Sequence, residues 1–339
     1  MDNRAAVLHG PHDLRVEDRP LPVPGPNEVL VEVRAVGVCG SDIHYYEHGR
    51  IGDFVVSEPL VLGHEAMGVV VGSGERAGRH LPGTRVALEP GVPCGRCAEC
   101  RGGRYNLCAD VAFFATPPVD GAFARYVTID EDFAHPLPDQ VSDEAGALLE
   151  PLSVGLWATR KADVRPGDRV LVTGAGPVGL LAAQAARIAG AAEVVITDIN
   201  PDRLRAAEEL GAGTALDTGE RPLDPGLGAD VLLECSGAPA AVAAGIAALR
   251  PAGTAVLVGM GPHSDARLPV QLIQNREITL TGTFRYANTY PQAVALAAAG
   301  RVELDALANR RFPLDRTEQA LLASRTDASV VKAVVMPGE

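Results

Sequence analysis

The sequence predicts a two-part α/β chain: a mostly β lobe, and a second part built as a doubly wound parallel sheet. Three observations predict it. The 339 residues correspond to about two domains at roughly 150 residues per domain. Beyond about residue 150, apolar strand-like runs alternate with alanine-rich helical stretches, the pattern of a parallel sheet with crossover helices. Before that point, short valine-rich runs sit between proline and glycine turn signals.

Taken in order, residues 29–36 alternate over part of their length like a half-buried strand. Residues 67–71 and 84–88 are further strands, punctuated by Pro20, Pro22, Pro24-Gly25-Pro26 and Pro82-Gly83. In the second part, residues 169–173 form an apolar strand, followed by a glycine-rich turn and a helix to about Ala189. A second strand, 193–197, ends at Asp198, and the next helix opens at Asn200-Pro201, a cap followed by a first-turn proline. Strands at 214–216, 231–234, 254–258 and 278–281 follow, with a helical stretch at 240–249. After Tyr286 come helices at 291–299 and 317–324 and a closing strand at 329–336.

The hydrophobic fraction is 47%, ample for two cores. Acidic residues number 43 against 30 basic ones, a net charge of −13. That balance argues against nucleic-acid binding, which needs a cationic surface to displace counterions. It also suits an anionic membrane poorly. No apolar run approaches the roughly 20 residues of a membrane span. The start, Met1-Asp2-Asn3-Arg4-Ala5, lacks the basic-then-apolar layout of a secretory signal. The expectation is a cytoplasmic protein with neither nucleic-acid nor membrane partner. Of six cysteines, Cys94, Cys97, Cys100 and Cys108 fall within fifteen residues, while Cys39 and Cys235 lie apart. In a long cytosolic chain such clustering suggests metal rather than disulfides.

Gly174, Gly176 and Gly179 stand between a strand and a helix, and Asp198 ends the next strand nineteen residues later. This is the full context of a Rossmann dinucleotide site. Gly174 permits the tight turn, Gly176 lets the backbone approach a pyrophosphate, and Gly179 lets the helix pack close to the sheet. The helix N-terminus offers free N–H groups to the phosphates. Asp198 is suited to ribose hydroxyls and would repel a 2′-phosphate, which favours NAD over NADP. Arg203, five residues on, is placed to touch the adenosine side and pulls the other way.

The spacing Cys94-x2-Cys97-x2-Cys100-x7-Cys108 supplies four thiolates, the closed tetrahedral set of a structural zinc. Gly91, Gly95, Gly102 and Gly103 give that loop its bends. A second group is dispersed: Cys39 in Gly-Val-Cys-Gly-Ser-Asp-Ile-His, His64-Glu65 after Gly63, and Glu150 in Leu-Leu-Glu-Pro. Each of these is ambiguous alone.

Together, in this order, the segments resemble the medium-chain zinc alcohol dehydrogenases over nearly the whole chain. The runs CGSDIHYYEHGRIGD (39–53), RYNL (104–107), ATPP (115–118), EPLSVG (150–155) and FRYANT (284–289) are similar to its sorbitol/xylitol branch. The resemblance implies a GroES-like catalytic domain of residues 1–151 and 287–339, with the nucleotide domain, 152–286, inserted. It implies a catalytic zinc held by Cys39, His64 and Glu65, with Glu150 as an outer partner or transient ligand. Mammalian sorbitol enzymes lack the complete four-cysteine loop, a departure that concerns stability rather than chemistry.

The resemblance also assigns the remaining site residues. Ser41 meets the substrate oxygen, and His44 or Glu150 carries the proton away. Tyr45, Glu150, Arg285 and Tyr286 recognise the polyol. Val178, Val258, Gly259, Met260, Phe284 and Arg285 join the glycines, Asp198 and Arg203 along the NAD. A homotetramer is implied too. The expected reaction is oxidation of a secondary polyol hydroxyl to a ketose with hydride transfer to NAD. Threonine and 2,3-butanediol dehydrogenases of the same family remain alternatives, as do a zinc-ribbon binding module and a non-catalytic relative.

Overall fold

The computed structural model describes residues 3–261 and 267–339. The chain divides into two compact units, Met1–Glu150 with Tyr290–Glu339, and Pro151–Thr289.

The first unit is organised around the strand Glu28–Gly37. Val29, Val31 and Val33 are fully buried at alternate positions while Arg34 faces water, the period of a half-buried strand. Each such valine contributes about 1.5–3 kcal/mol of burial. The strand Glu65–Ser73 pairs with it antiparallel along its length, and Arg85–Leu88 and Ala134–Pro136 extend the sheet beyond. On its other edge, Glu28 to Glu32 pair with Tyr126–Asp130, and Val36 and Gly37 pair with Ala333–Met336. A one-residue slip would turn the whole valine row to water, so the register is strongly specified.

Among its described residues, the second unit holds six parallel strands in the order Thr214–Asp217, Glu193–Asp198, Arg169–Thr173, Ala229–Glu234, Leu249–Leu257, Thr279–Gly282. In chain order this is 3-2-1-4-5-6, the doubly wound arrangement whose strand order reverses beside the first strand. Leu171, Leu232, Ile246, Leu249 and Ala255 are fully buried in its core. The helix Pro177–Ile188 starts on a proline and buries a face of Leu180, Leu181 and small alanines.

Several local features differ from those expected. Helices Gly40–His48 and Leu149–Lys161 stand in stretches where no helix was expected. The first lacks an apolar stripe and is held by its cap and by buried Tyr45 and Tyr46. The second tolerates Pro151 because it lies in the first turn. The strand expected at 254–258 begins at Leu249. The closing strand spans only Ala333–Met336, because the Asn309 side chain already accepts the N–H groups of Val331 and Lys332.

Candidate metal centres and nucleotide site

The sheet register assembles the first cluster. Gly37 pairs with Glu65, so Cys39, two residues past Gly37, comes beside His64-Glu65. Ligand atoms of Cys39, His64 and Glu65 all lie within 4.8 Å of one another. Cys39 caps the helix Gly40–His48. Asp42, fully buried, ties the two segments: it accepts the N–H of Cys39 at 2.9 Å and of Gly63 at 2.9 Å. It also stands 3.8 Å from His64 Nδ1. Burial pushes the Asp42 carboxyl above its usual range, against the pull of His64 and the two N–H donors.

The donor set fits a cation. Burial alone would lower the His64 pKa, but the Cys39 thiolate, Asp42 and Glu150 carry it up to about 10. The negative groups of the cluster therefore favour positive charge among them. Among the described residues, Glu65 Oε2 is buried without a hydrogen-bond partner, an arrangement that costs free energy unless a cation meets it. Its other oxygen accepts from Lys332 Nζ at 2.6 Å, with both side chains almost wholly buried. Burial opposes the charged ammonium, yet Glu65, Cys39 and Glu150 hold the Lys332 pKa above its ordinary value. One thiolate, one imidazole and one carboxylate suit zinc with a position left over.

Glu150 opens the helix Leu149–Lys161, is buried, and acts electrostatically on both His64 and Lys332. Ser41 and His44 are half-buried on the helix that Cys39 caps, and His44 lies 5.9 Å from the ring of exposed His48. Tyr45 is buried in the first unit, whereas Arg285 and Tyr286 belong to the second.

The second cluster is the loop from Cys94 to Cys108, whose four sulfurs lie within 4.8 Å of one another. Tetrahedral zinc at about 2.3 Å sets its sulfurs about 3.8 Å apart. Here Cys97 and Cys100 are 3.3 Å apart and Cys94 and Cys100 4.0 Å, all unbridged. N–H groups of Arg96 and Cys97 hold the Cys94 thiol down at about 6. Desolvation and the neighbouring sulfurs push Cys100 up to about 12. Crowded thiols that resist joint ionisation fit a metal that ionises all four. Of the glycines expected to bend the loop, Gly95 and Gly103 take left-handed backbone at φ 70° and 73°. Gly102 does not, and Gly91 lies in a short strand against Phe113.

In the second unit, Gly174 turns at φ 89°, and a Cβ there would meet Ser236 N at 2.9 Å. Gly176 caps the helix and faces open space. A Cβ on Gly179 would fall 1.8 Å from Gly174 O, so the helix rests on the turn. Val178 lies in the first turn of that helix. Asp198 accepts N–H groups from Ala175, Ile199 and Asn200 at 2.7–2.9 Å, bracing the first turn against the second. Arg203 approaches Asp198 at 3.8 Å. Gly259 packs so closely that a Cβ would stand 2.4 Å from Gly237 N. Val258 hydrogen-bonds to Glu234 O, Met260 is exposed, and the Arg285 guanidinium covers the Phe284 ring at 4.7 Å.

The sequence reading passed over four residues here. Asp42 and Lys332 brace the metal cluster. A lysine inside the apolar run Val330-Val331-Lys332-Ala333-Val334 was a visible signal. Glu234, fully buried, accepts N–H groups of Ser236 and Gly237 and so shapes the turn beside Gly174. Ile199, 74% exposed beside Asp198, offers an apolar surface at the strand end.

Comparison with known proteins places this architecture. The alcohol dehydrogenase GroES-like domain family matches residues 25–139, and the zinc-binding dehydrogenase family matches residues 177–299. The sorbitol dehydrogenase of Bos taurus is 46% identical over 334 residues, 96% of this chain and 93% of its own. The L-idonate 5-dehydrogenase of Escherichia coli K-12 superposes with a TM-score of 0.93 at 32% identity, over 99% of this chain and 98% of that one. A Sinorhizobium meliloti 1021 structure bound to NADP, described only by its class as a zinc-binding dehydrogenase, gives 0.92 at 31% identity, over 99% and 100%. The chain belongs to the zinc-binding alcohol dehydrogenase family, an oxidoreductase with GroES-like and Rossmann-type domains.

Proposed function

We propose that this dehydrogenase oxidises a secondary hydroxyl of a polyol, such as sorbitol or xylitol, to the ketose and passes the hydride to NAD. One observation carries the reading: Cys39, His64 and Glu65 converge within 4.8 Å in a chain 46% identical to a sorbitol dehydrogenase. The unit Met1–Glu150 with Tyr290–Glu339 is the catalytic domain in this reading, and Pro151–Thr289 the nucleotide domain. Zinc at the trio supplies Lewis acidity, which lowers a hydroxyl pKa by several units. A second zinc in the four-cysteine loop is structural.

The chain's own groups do the rest. Ser41 orients the substrate hydroxyl, and His44 or Glu150 takes its proton. Tyr45, Glu150, Arg285 and Tyr286 hydrogen-bond the remaining hydroxyls, and a site built that way rejects simple alcohols strongly. Gly174, Gly176, Val178 and Gly179, with the N-terminus of Pro177–Ile188, would hold the pyrophosphate of the dinucleotide. Asp198 meets the adenosine ribose and Ile199 the adenine. Val258, Gly259, Met260 and Phe284 line the nicotinamide half. A cytoplasmic homotetramer belongs to the same proposal and rests on the resemblance.

A second reading concerns the cofactor alone. Arg203, half-exposed beside Asp198, is placed for a 2′-phosphate, and one structural relative holds NADP. A single experiment addresses both. Cofactor reduction is followed over sorbitol, xylitol, arabinitol, ribitol, threonine and 2,3-butanediol, each with NAD and NADP. Polyols with NAD are expected to be turned over best. Preference for threonine or butanediol would overturn the substrate, and preference for NADP the role of Asp198. The same assay as a pH–rate profile on Glu150→Gln and His44→Ala ranks the proton routes; unchanged rates in both variants would remove both.

A further inference from the structure

Glu65 and Lys332 reach each other across Gly37. That glycine pairs with Glu65 on one flank and Val334 on the other. Its missing side chain leaves the room: a Cβ there would stand 2.1 Å from Glu65 Oε2 and 3.1 Å from Lys332 Cε. Through this gap the ammonium engages Glu65 Oε1 at 2.6 Å, leaving Oε2 buried with no hydrogen-bond partner among the described residues.

Stability does not explain the lysine. A buried ion pair is often no better than apolar residues of the same shape, because desolving both charges offsets their attraction. Coordination chemistry does explain it. A carboxylate binds a metal through one oxygen or through two. A two-oxygen Glu65 would consume the coordination position that a substrate needs. We propose that Lys332 is a positioning residue: by occupying Glu65 Oε1 it confines Glu65 to one-oxygen ligation through Oε2 and keeps the remaining position open.

The inference rests on the trio being a metal site, and cobalt separates the two claims. One zinc per chain is exchanged for cobalt(II), whose visible d–d absorption is strong in four-coordinate sites and weaker in five-coordinate ones. No four-coordinate cobalt in the wild-type trio would overturn the metal reading itself. With the trio loaded, Lys332→Met is expected to lose d–d intensity, as Glu65 closes on the metal with both oxygens. Turnover is expected to fall about 10–100-fold, the usual cost of losing an outer-sphere partner.

Glu65→Gln gives a second arm. With Lys332 in place, the carboxamide oxygen turns to the ammonium and its NH2 faces the metal, so cobalt is lost. Adding Lys332→Met frees the oxygen and restores four-coordinate cobalt. An unchanged spectrum in Lys332→Met, or no rescue in the double variant, would overturn the proposal. Should Lys332→Met not fold, Glu65→Gln alone decides: undiminished cobalt retention in that variant would show that Lys332 does not dictate which Glu65 atom meets the metal.

Discussion

Replacing Gly37 with alanine tests the geometry of the metal trio with one methyl group. The new Cβ would lie 2.1 Å from Glu65 Oε2, where ordinary contact begins at 3.4 Å, so that oxygen must retreat by about 1.3 Å. It has little freedom to do so. Its partner oxygen is fixed to Lys332 at 2.6 Å, and the methyl is also 3.1 Å from Lys332 Cε. Overpacking of this kind costs about 1–3 kcal/mol, a tolerable part of the roughly 5–15 kcal/mol that holds a domain together. Displacing a ligand by about 1 Å, in contrast, costs about a hundredfold in turnover. The expected variant is folded but loses the trio's zinc and most of its activity. Three measurements check this: a urea unfolding midpoint, zinc per chain, and polyol turnover. Gly72→Ala is the control, since among the described residues its Cβ on the same sheet meets only Leu30, at 3.7 Å. A Gly37→Ala chain that keeps both zincs and turns over within threefold of wild type would refute the placement of Glu65 as a ligand.

Two further predictions concern the nucleotide unit. Gly179→Ala sets a methyl 1.8 Å from Gly174 O, which must lever the helix start away from the turn. Binding of NAD, read by calorimetry, is expected to weaken while the metal content stays the same; unaltered affinity would contradict the pyrophosphate site. Asp230 accepts the Arg169 backbone N–H at 2.7 Å and the Arg250 guanidinium at 2.5 Å. Burial alone would raise its pKa, but these donors outweigh burial and hold it below the usual carboxylate range. A depressed folded-state pKa means stability that is present above the unfolded value, about 3.9, and lost as pH falls through the folded one. Asp230→Asn is therefore expected to cost about 1.5–3 kcal/mol at neutral pH, with the gap to wild type closing below pH about 4. A gap that widened in acid would reverse the sign and refute the assignment.

Much of the nucleotide unit was legible in sequence because its signals are local. Apolar strands, a glycine turn and a first-turn proline are each specified within a few residues, and 169–173 and 193–198 lie where their patterns put them. The four-cysteine loop was legible for the same reason. Helix Gly40–His48 was not, since its stability comes from a cap and two tyrosines buried against distant chain. The role of Gly37 was equally hidden, because what it accommodates comes from residues 65 and 332.

The sequence by itself determined the kinds of chemistry available: thiolate, imidazole and carboxylate donors in short motifs, and a turn that takes a dinucleotide. Only the tertiary structure decided which donors meet and what braces them. It set Asp42 between Cys39 and Gly63, and it brought Lys332 through the space over Gly37 onto one oxygen of Glu65. The physical reason is sequence separation. A motif of ten residues sets its own backbone, but a contact across 267 positions of chain exists only once the sheet register has closed the loop between them.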